Sequence, residues 1–491
     1  MLNAVIYLPL LTGLVALAMP AARPDLARIA AVAGAAATLV VALVLWASYD
    51  PSGPALQWRG TAPWIPGIGA SYDIAADGIS LALIVLTAFL LLVVTIYVLP
   101  NHDRARAHAF LFLLLSTGLM GVFTSRDLLL FYLFFEVALV PMYFIIGTWG
   151  SERRRYAAFK FFLYTRAGSL AMLLGFLGLY LTMQPHTFSL EAIIAKQPLA
   201  HAPTVGALVF FALLLGFGVK LPTVPLHNWL PDAHVDAPTE GSVFLAGLQL
   251  KMGGYGLIAI LLPVLPEQVQ RFRWLLVVLA LVSMLYGALA ALSQNDMKRL
   301  VAYTSINHMG YITLAVALAV MSADANVRAL ALDGAVVQLV SHGLLTGGMF
   351  LMVGILQHRA GTRELDRIGG PMSTLPAFSA ILAAMAFGSF GLPGFSGFIA
   401  EFQVIGATLD VSIAAAAVVV LGLIVSTAVY LRLAGGVYAG AAAGRTTPLA
   451  PLSVRELGIT GALMVASVLI GIVPGPLIVA ISGATRLLAR F

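Results

Sequence analysis

Cysteine is absent from all 491 residues. Disulfides, thiolate metal sites and thiolate-held iron–sulfur clusters are therefore excluded within the chain. Charge is scarce as well: Asp, Glu, Lys and Arg together make up 10% of the residues, against about 25% in soluble domains. No polar segment is long enough for a soluble domain. No basic cluster precedes the apolar run of MLNAVIYLPLLTGLVALAMPAARPD, so this end reads as a retained first helix and not as a cleaved leader. A phosphate loop, a dinucleotide fingerprint, a nucleophile elbow and a zinc motif are all missing. The glycines of FGLPGFSGF lie in an apolar helix with no strand before them, which argues against a nucleotide site.

Hydrophobic residues make up 60% of the chain, and the mean hydropathy is +0.98. The apolar runs reach transmembrane-helix length, which defines an all-α polytopic membrane protein. We read fourteen spans, beginning near Leu2, Arg28, Gly78, Ala109, Arg126, Lys160, Pro203, Thr239, Trp274, Leu300, Val327, Thr374, Val411 and Leu457. The longest polar connection, Tyr49 to Asp77, holds four prolines and is expected to form turns or a small hairpin on one membrane face. The loops after odd-numbered spans carry fifteen Lys and Arg residues, Arg445 among them, against eight on the other side. Both termini should then face away from the cytoplasm. The net charge of +6 reflects those loops and not an affinity for nucleic acid.

Four basic residues remain inside spans: Arg166, Lys220, Lys251 and Arg432. A charge near the bilayer centre is costly, so it has a partner, a water-filled cavity or a route to the interface. Lys220 stands two residues before Pro222 in GFGVKLPTVPLHNWLPDAH, and the proline should break the helix beside the charge. Glu136, in DLLLFYLFFEVALVPMYFIIG, falls near mid-span, where a carboxylate is either protonated or paired. Charge complementarity makes it the expected partner of Lys220. Lys251 lies in the apolar SVFLAGLQLKMGGYGLIAILL.

His308 and His342 are the histidines of spans 10 and 11. They suit proton relay through either ring nitrogen, or they are hydrogen-bonded packing residues; Thr304, Ser305, Asn307 and Ser341 lie near them in the sequence. His227 and His234, in PLHNWLPDAHVDAPTE, either take up protons from the cytoplasmic surface or cap and pack that turn. Glu401 follows a second Gly- and Pro-rich break, GSFGLPGFSGF, by about two turns. Ordered by span, Glu136, Lys220, Lys251, His308, His342 and Glu401 form a polar axis. The breaks in spans 7 and 12 are five spans apart, so two five-helix units would be inverted relative to each other, an arrangement that marks transport sites.

FFEVALVPMYFIIGTWG around Glu136, GFGVKLPTVPLHNWLPDAHVDAPTEGSVFLAG after the first break, LVAYTSINHMG around His308 and FGLPGFSGFIAEF ending in Glu401 together resemble the antiporter-like membrane subunits of proton-pumping NADH–quinone oxidoreductase, respiratory complex I, nearest to its chain M branch. The resemblance covers nearly the whole length. It implies a single transmembrane domain: helices 1–3 over 1–107, repeat one (helices 4–8) over 108–265, repeat two (helices 9–13) over 272–440, and helix 14 over 456–491. It implies that Glu136 is the essential buried glutamate, Lys220 the broken-helix lysine, Lys251 the connecting lysine, His308 and His342 members of the axis, and Glu401 the exit-side acid. It also implies proton translocation driven by redox chemistry elsewhere: NADH, FMN, iron–sulfur clusters and quinone on partner subunits, no cofactor in this chain, sibling antiporter-like subunits as neighbours, and a bacterial cytoplasmic (inner) membrane. Several siblings, and the subunits of Mrp-type sodium/proton antiporters, carry lysine where this chain has Glu401. An Mrp-type antiporter subunit is the alternative function; a scaffold that merely fills the membrane is a third, opposed by the buried charges.

Overall fold

The computed structural model describes residues 1–100, 104–368, 375–438 and 449–490. Thr374, the expected start of span 12, and Arg445 lie outside them. Among the described residues, twelve helices are long and apolar enough to cross a membrane. They are spans 2 (Pro24–Ala47), 3 (Gly78–Tyr97), 4 (Ala105–Thr124), 5 (Leu128–Trp149), 6 (Arg154–Thr182), the first half of 7 (Pro203–Lys220), 8 (Thr239–Val264), 9 (Arg273–Leu292), 10 (Met297–Met321), 11 (Ala325–Ala360), 13 (Ile413 onward) and 14 (Val454–Ile472). The shorter Leu2–Ala18 is span 1, and Pro376–Ser389 with Ser396–Val411 makes up span 12.

Several span starts are set by aspartate. The side chains of Asp77, Asp127, Asp296 and Asp324 accept from backbone N–H groups of spans 3, 5, 10 and 11, satisfying donors that the first turn leaves open. Ser453 and Glu456 form a capping box at span 14. The Tyr49–Asp77 connection is the expected hairpin, with β1 (Gln57–Ile65) antiparallel to β2 (Ala70–Ala76).

Two helical endings differ from expectation. The C-terminal run is not one span: it stops at Ile472, Val473 and Pro474 interrupt it, and a separate helix, Gly475–Leu488, follows with Pro476 in its first turn, because proline cannot continue the ladder of the preceding turn. Lys298, one of the fifteen basic residues counted in the loops after odd-numbered spans, lies in the first turn of span 10 and is 3% exposed.

Span 4 packs on span 5 and span 9 on span 10; the first half of span 7 lies on span 6, and the second half of span 12 on span 11. The apolar windows of spans 8 and 11 are wholly buried, whereas most of spans 2, 6 and 14 faces outward. The centre of the molecule is thus spans 8 and 11, the two helices that carry Lys251 and His342.

Candidate functional site

Span 7 stops at Lys220 and resumes as the short helix Trp229–Asp236. A helix end leaves carbonyls without intrahelical donors, and the Trp229 indole serves one of them, donating to Val219 O at 2.9 Å. Lys220 is 1% exposed. Its ammonium donates to Gln249 Oε1 at 3.1 Å and lies over the rings of Phe135 (5.6 Å) and Phe161 (5.3 Å), where the negative ring faces attract a cation. Gln249 in turn donates to Ala138 O on span 5 at 2.9 Å. No sequence motif had singled out Gln249.

The expected contact between Glu136 and Lys220 does not form. Glu136 pairs instead with Arg166 of span 6, at 2.5 Å. Arg166 also donates to the Tyr132 hydroxyl at 3.4 Å. Glu136 points outward from span 5, with 17% of its side chain exposed against 40% for Arg166, whereas Lys220 points inward to Gln249. The carboxylate remains near enough for its charge to act on Lys220, but the direct counter-ion is the guanidinium. The sequence signal for this pair was Arg166 itself, an unexplained charge inside a span.

Span 8 is wound as π-helix on both sides of Lys251, at Leu245–Gln249 and Leu257–Leu261. Such wide turns redirect backbone carbonyls and side chains and mark functional sites. The ammonium of Lys251 uses one such carbonyl, donating to Ala246 O at 2.6 Å. Its second contact is His342 Nδ1, also at 2.6 Å. His308 stands edge-to-face to His342, ring centroids 5.5 Å apart, and its Nε2 lies 3.0 Å from Ser389 O at the end of the first half of span 12. Gly253 lets spans 7 and 8 approach: a Cβ there would sit 2.6 Å from Phe217 O and from Leu221 N.

The break in span 12 runs through Gly391 (φ +79°) and Gly394 (φ +98°), a backbone region that side-chain-bearing residues rarely adopt. A Cβ on Gly391 would also collide with Glu401 Oε2. Glu401 therefore sits under the break, 3% exposed. It is not the partner of Arg432, which donates to Leu292 O and Gln294 O at the far end of span 9. His308, His342, Glu401, Gln338, Ser341, Thr346 and Ser389 line one cavity of about 10 Å³, close to the size that holds a single water, roughly 10–15 Å³. Glu401 Oε2, His308 Nδ1, His342 Nε2, Gln338 Oε1 and Thr346 Oγ1 have no hydrogen-bond partner within the protein. The structure thus brings Lys251, His342, His308 and Glu401 into one cluster and leaves Lys220 with Gln249 in a second, where span 8 packs on span 7.

His227 and His234 occupy packed positions. His227 meets Tyr286 edge-on at 4.8 Å, and His234, fully buried, stacks on Phe350 with centroids 4.4 Å apart and planes 7° apart. Both ring nitrogens of His234 lack a protein partner. Around this end of the bundle, Lys298 donates to Ala237 O at 2.8 Å, Lys160 pairs with Asp232 at 2.6 Å and His108 with Glu240 at 3.0 Å. Glu240 and His108 join spans 8 and 4; nothing in their sequence context had marked them. Among the described residues, no group of three or more His, Asp or Glu side chains is arranged to hold a metal ion.

Residues 125–427 match the family model described as "NADH:quinone oxidoreductase/Mrp antiporter, TM". That stretch is more than half of the chain, and the chain belongs to this family. Among its relatives, proteins named NADH-quinone oxidoreductase subunit M are 39% identical over 87% of this chain and 86% of the relative in Rickettsia conorii, and 36% identical over 96% and 93% in Rhodobacter capsulatus. A subunit of respiratory complex I from Thermus thermophilus superposes over 100% of both chains with a TM-score of 0.87 and 30% identity. A subunit of the Mrp complex from a Dietzia species shares the fold, with a TM-score of 0.82, 99% and 97% coverage and 24% identity.

Proposed function

We propose that this chain is an M-type antiporter-like subunit of the membrane arm of a proton-pumping NADH–quinone oxidoreductase. Glu136, Lys220, Lys251, His342, His308 and Glu401 carry the proton path. The observation that carries this reading is the 2.6 Å contact between Lys251 Nζ and His342 Nδ1. At that distance one nitrogen donates and the other accepts, so the pair shares a proton: an ammonium donating to a neutral imidazole, or, after transfer, an imidazolium N–H donating to a neutral amine. Either state converts to the other by a short transfer. Lysine is suited to this because it releases its proton when buried, as arginine does not. His308, beside His342, extends the relay toward Glu401.

His227 and His234 are proposed to take up protons from the cytoplasmic side, and Glu401 to release them on the other. Both termini are proposed to lie on that second side of a bacterial cytoplasmic membrane, in keeping with the excess of basic residues in the alternate loops. The two five-helix units, 108–265 and 272–440, are proposed as inverted repeats that carry one break each. NADH, FMN, iron–sulfur clusters and quinone are assigned to partner subunits; the absence of cysteine supports that division for the clusters. An acid at Glu401, where several siblings and the Mrp-type subunits carry lysine, favours this reading over an Mrp-type sodium/proton antiporter subunit.

The test is Lys251→Ala in the native host. The complex is purified, its subunits are identified, and proton uptake by vesicles is followed during NADH oxidation. Co-purification with redox subunits and loss of pumping in a normally assembled variant are expected. Purification with antiporter subunits alone, or full pumping by the variant, would overturn the reading.

A further inference from the structure

Three buried hydroxyls run from the cavity beside Glu401 to span 14. Ser396, the first residue of the second half of span 12, donates to Ser341 of span 11 at 2.8 Å, and its oxygen lies 2.7 Å from Ser467 of span 14. The Ser396 N–H also reaches Ser467 Oγ, at 3.4 Å. The three residues are 1%, 0% and 0% exposed in the order Ser341, Ser396, Ser467. One turn beyond Ser467, Gly471 lies against the backbone of Gly394 and Phe395, where a Cβ would collide. Span 14 therefore touches the break of span 12 twice.

The direction of the chain follows from counting protons. Each serine has one O–H to give. Ser396 gives its own to Ser341, so the contact between Ser396 and Ser467 must be donated by Ser467. Ser341 accepts in this line, so its own O–H is not spent on Ser396 and remains to be given on the side of the cavity that it lines with His308, His342 and Glu401. The donors thus run one way, Ser467 to Ser396 to Ser341 to cavity, and hydroxyls in series strengthen each other as donors. Beyond Ser467 the line ends: Ala466, Leu469 and Ile470 beside it line a broad apolar groove with spans 2, 3 and 11. A proton leaving by that route would meet hydrocarbon, so the chain is not a path.

We propose that Ser467 and Ser396 are positioning residues, which act through Ser341 to hold a hydrogen-bond donor toward the cavity and so favour its anionic state, with Glu401 ionised. The inference rests on the proposed role of Glu401 in proton release. The other titratable groups in the cavity with Glu401 are His342 on span 11 and His308 on span 10; Lys251 of span 8 contacts His342, and Tyr311 on span 10 and Tyr430 on span 13 lie within reach of the Glu401 charge. Span 14 contributes hydroxyl there and no charge, since Glu456 at its start is bound to Arg359.

The experiment compares Ser467→Ala, Ser467→Thr, Ser396→Ala and Glu401→Gln in the assembled complex. Pumping is measured across pH, and the infrared band of the protonated Glu401 carboxyl is assigned by its loss in Glu401→Gln. A donor turned toward a carboxylate across a shared cavity favours the ionised form. Weakening that donor by removing the hydroxyls behind it should move half-maximal pumping to more alkaline pH, by roughly half a unit to one unit for Ser396→Ala and less for Ser467→Ala, with the carboxyl band persisting over the same added range. Ser467→Thr, which keeps the hydroxyl, should restore the parent profile. Unmoved profile and band in both alanine variants overturn the inference while leaving the role of Glu401 intact. Normal pumping by Glu401→Gln overturns the underlying reading instead. If an alanine variant fails to assemble while Ser467→Thr restores assembly but not the parent infrared band, the hydroxyls are structural and the inference is wrong.

Discussion

Arg166 holds Glu136 at 2.5 Å, so the acid in the middle of span 5 is neutralised by span 6 and not by the broken-helix lysine. The pair lies on an outward face with Tyr132, Leu133, Val140 and Leu170. Removing one partner of a fully buried ion pair costs about 3–5 kcal/mol; with Arg166 40% exposed, the cost here should be lower. Arg166→Ala is expected to slow coupled pumping several-fold while the complex still assembles, and Arg166→Lys to recover most of it. Vesicle pumping assays on purified complex decide this, and equal rates in all three proteins would remove Arg166 from the mechanism.

Lys220→Ala should abolish coupled pumping and slow quinone reduction. Lys220→Arg should do little better, because guanidinium keeps its proton. Gln249, which links Lys220 to the Ala138 carbonyl, gives an intermediate test: Gln249→Leu leaves the lysine without its hydrogen-bond acceptor and should cut pumping by roughly tenfold, the value of one charge-assisted hydrogen bond of about 1.5 kcal/mol. Proton-to-electron ratios at matched assembly are the measurement.

Glu136→Gln mimics the protonated acid and should stop turnover, whereas Glu136→Asp should retain part of it. Charge is then the relevant property, felt by Arg166 directly and by Lys220 through space. Wild-type pumping in the Gln variant would show that the carboxylate only anchors Arg166.

Arg359 and Glu456 form a two-pronged pair, with nitrogen–oxygen distances of 3.0 and 2.6 Å, and Glu456 closes the capping box of span 14. Glu456→Ala removes both. The Ser453 side chain still caps the residue-456 N–H, so what is lost is the reciprocal half of the box and the charge-assisted pair, about 1.5–3 kcal/mol. A lower unfolding temperature of the detergent-solubilised complex is expected, with pumping per assembled complex unchanged. An unaltered melting curve would mean that span 14 is held by its packing alone.

Elemental analysis of the purified chain should return no stoichiometric transition metal. His308 and His342 come from different helices, their hydrogen-bond partners are a lysine and a backbone carbonyl, and among the described residues they form no group of three arranged to hold an ion; structural and catalytic sites need three or four ligands. One bound zinc or iron per chain would contradict this.

Much of the architecture was legible in the residues because burying charge or unpaired backbone in hydrocarbon costs so much. That rule alone located the spans, the breaks beside Pro222 and Pro393, and the six ionisable groups. It also marked Arg166 and Arg432 as needing an explanation, although it did not say which. It failed where a local signal was weaker than a distant one. The C-terminal run looked continuous although its helix ends before Pro474 and a new one starts at Gly475, and Lys298 read as a loop charge although it lies buried against Ala237 O.

The sequence by itself determined the cost of each buried charge, which depends on residue type and depth. Only the tertiary structure decided how that cost is met, because a partner is defined by direction and distance between helices far apart in the chain. Glu136 could satisfy either Lys220 or Arg166 by charge, and its outward orientation on span 5 chose Arg166. Lys251 could be satisfied by any acceptor, and the π-turns of span 8 presented Ala246 O and aimed the ammonium at His342. Three ordinary serines became one directed line of donors only because span 14 lies across the break in span 12.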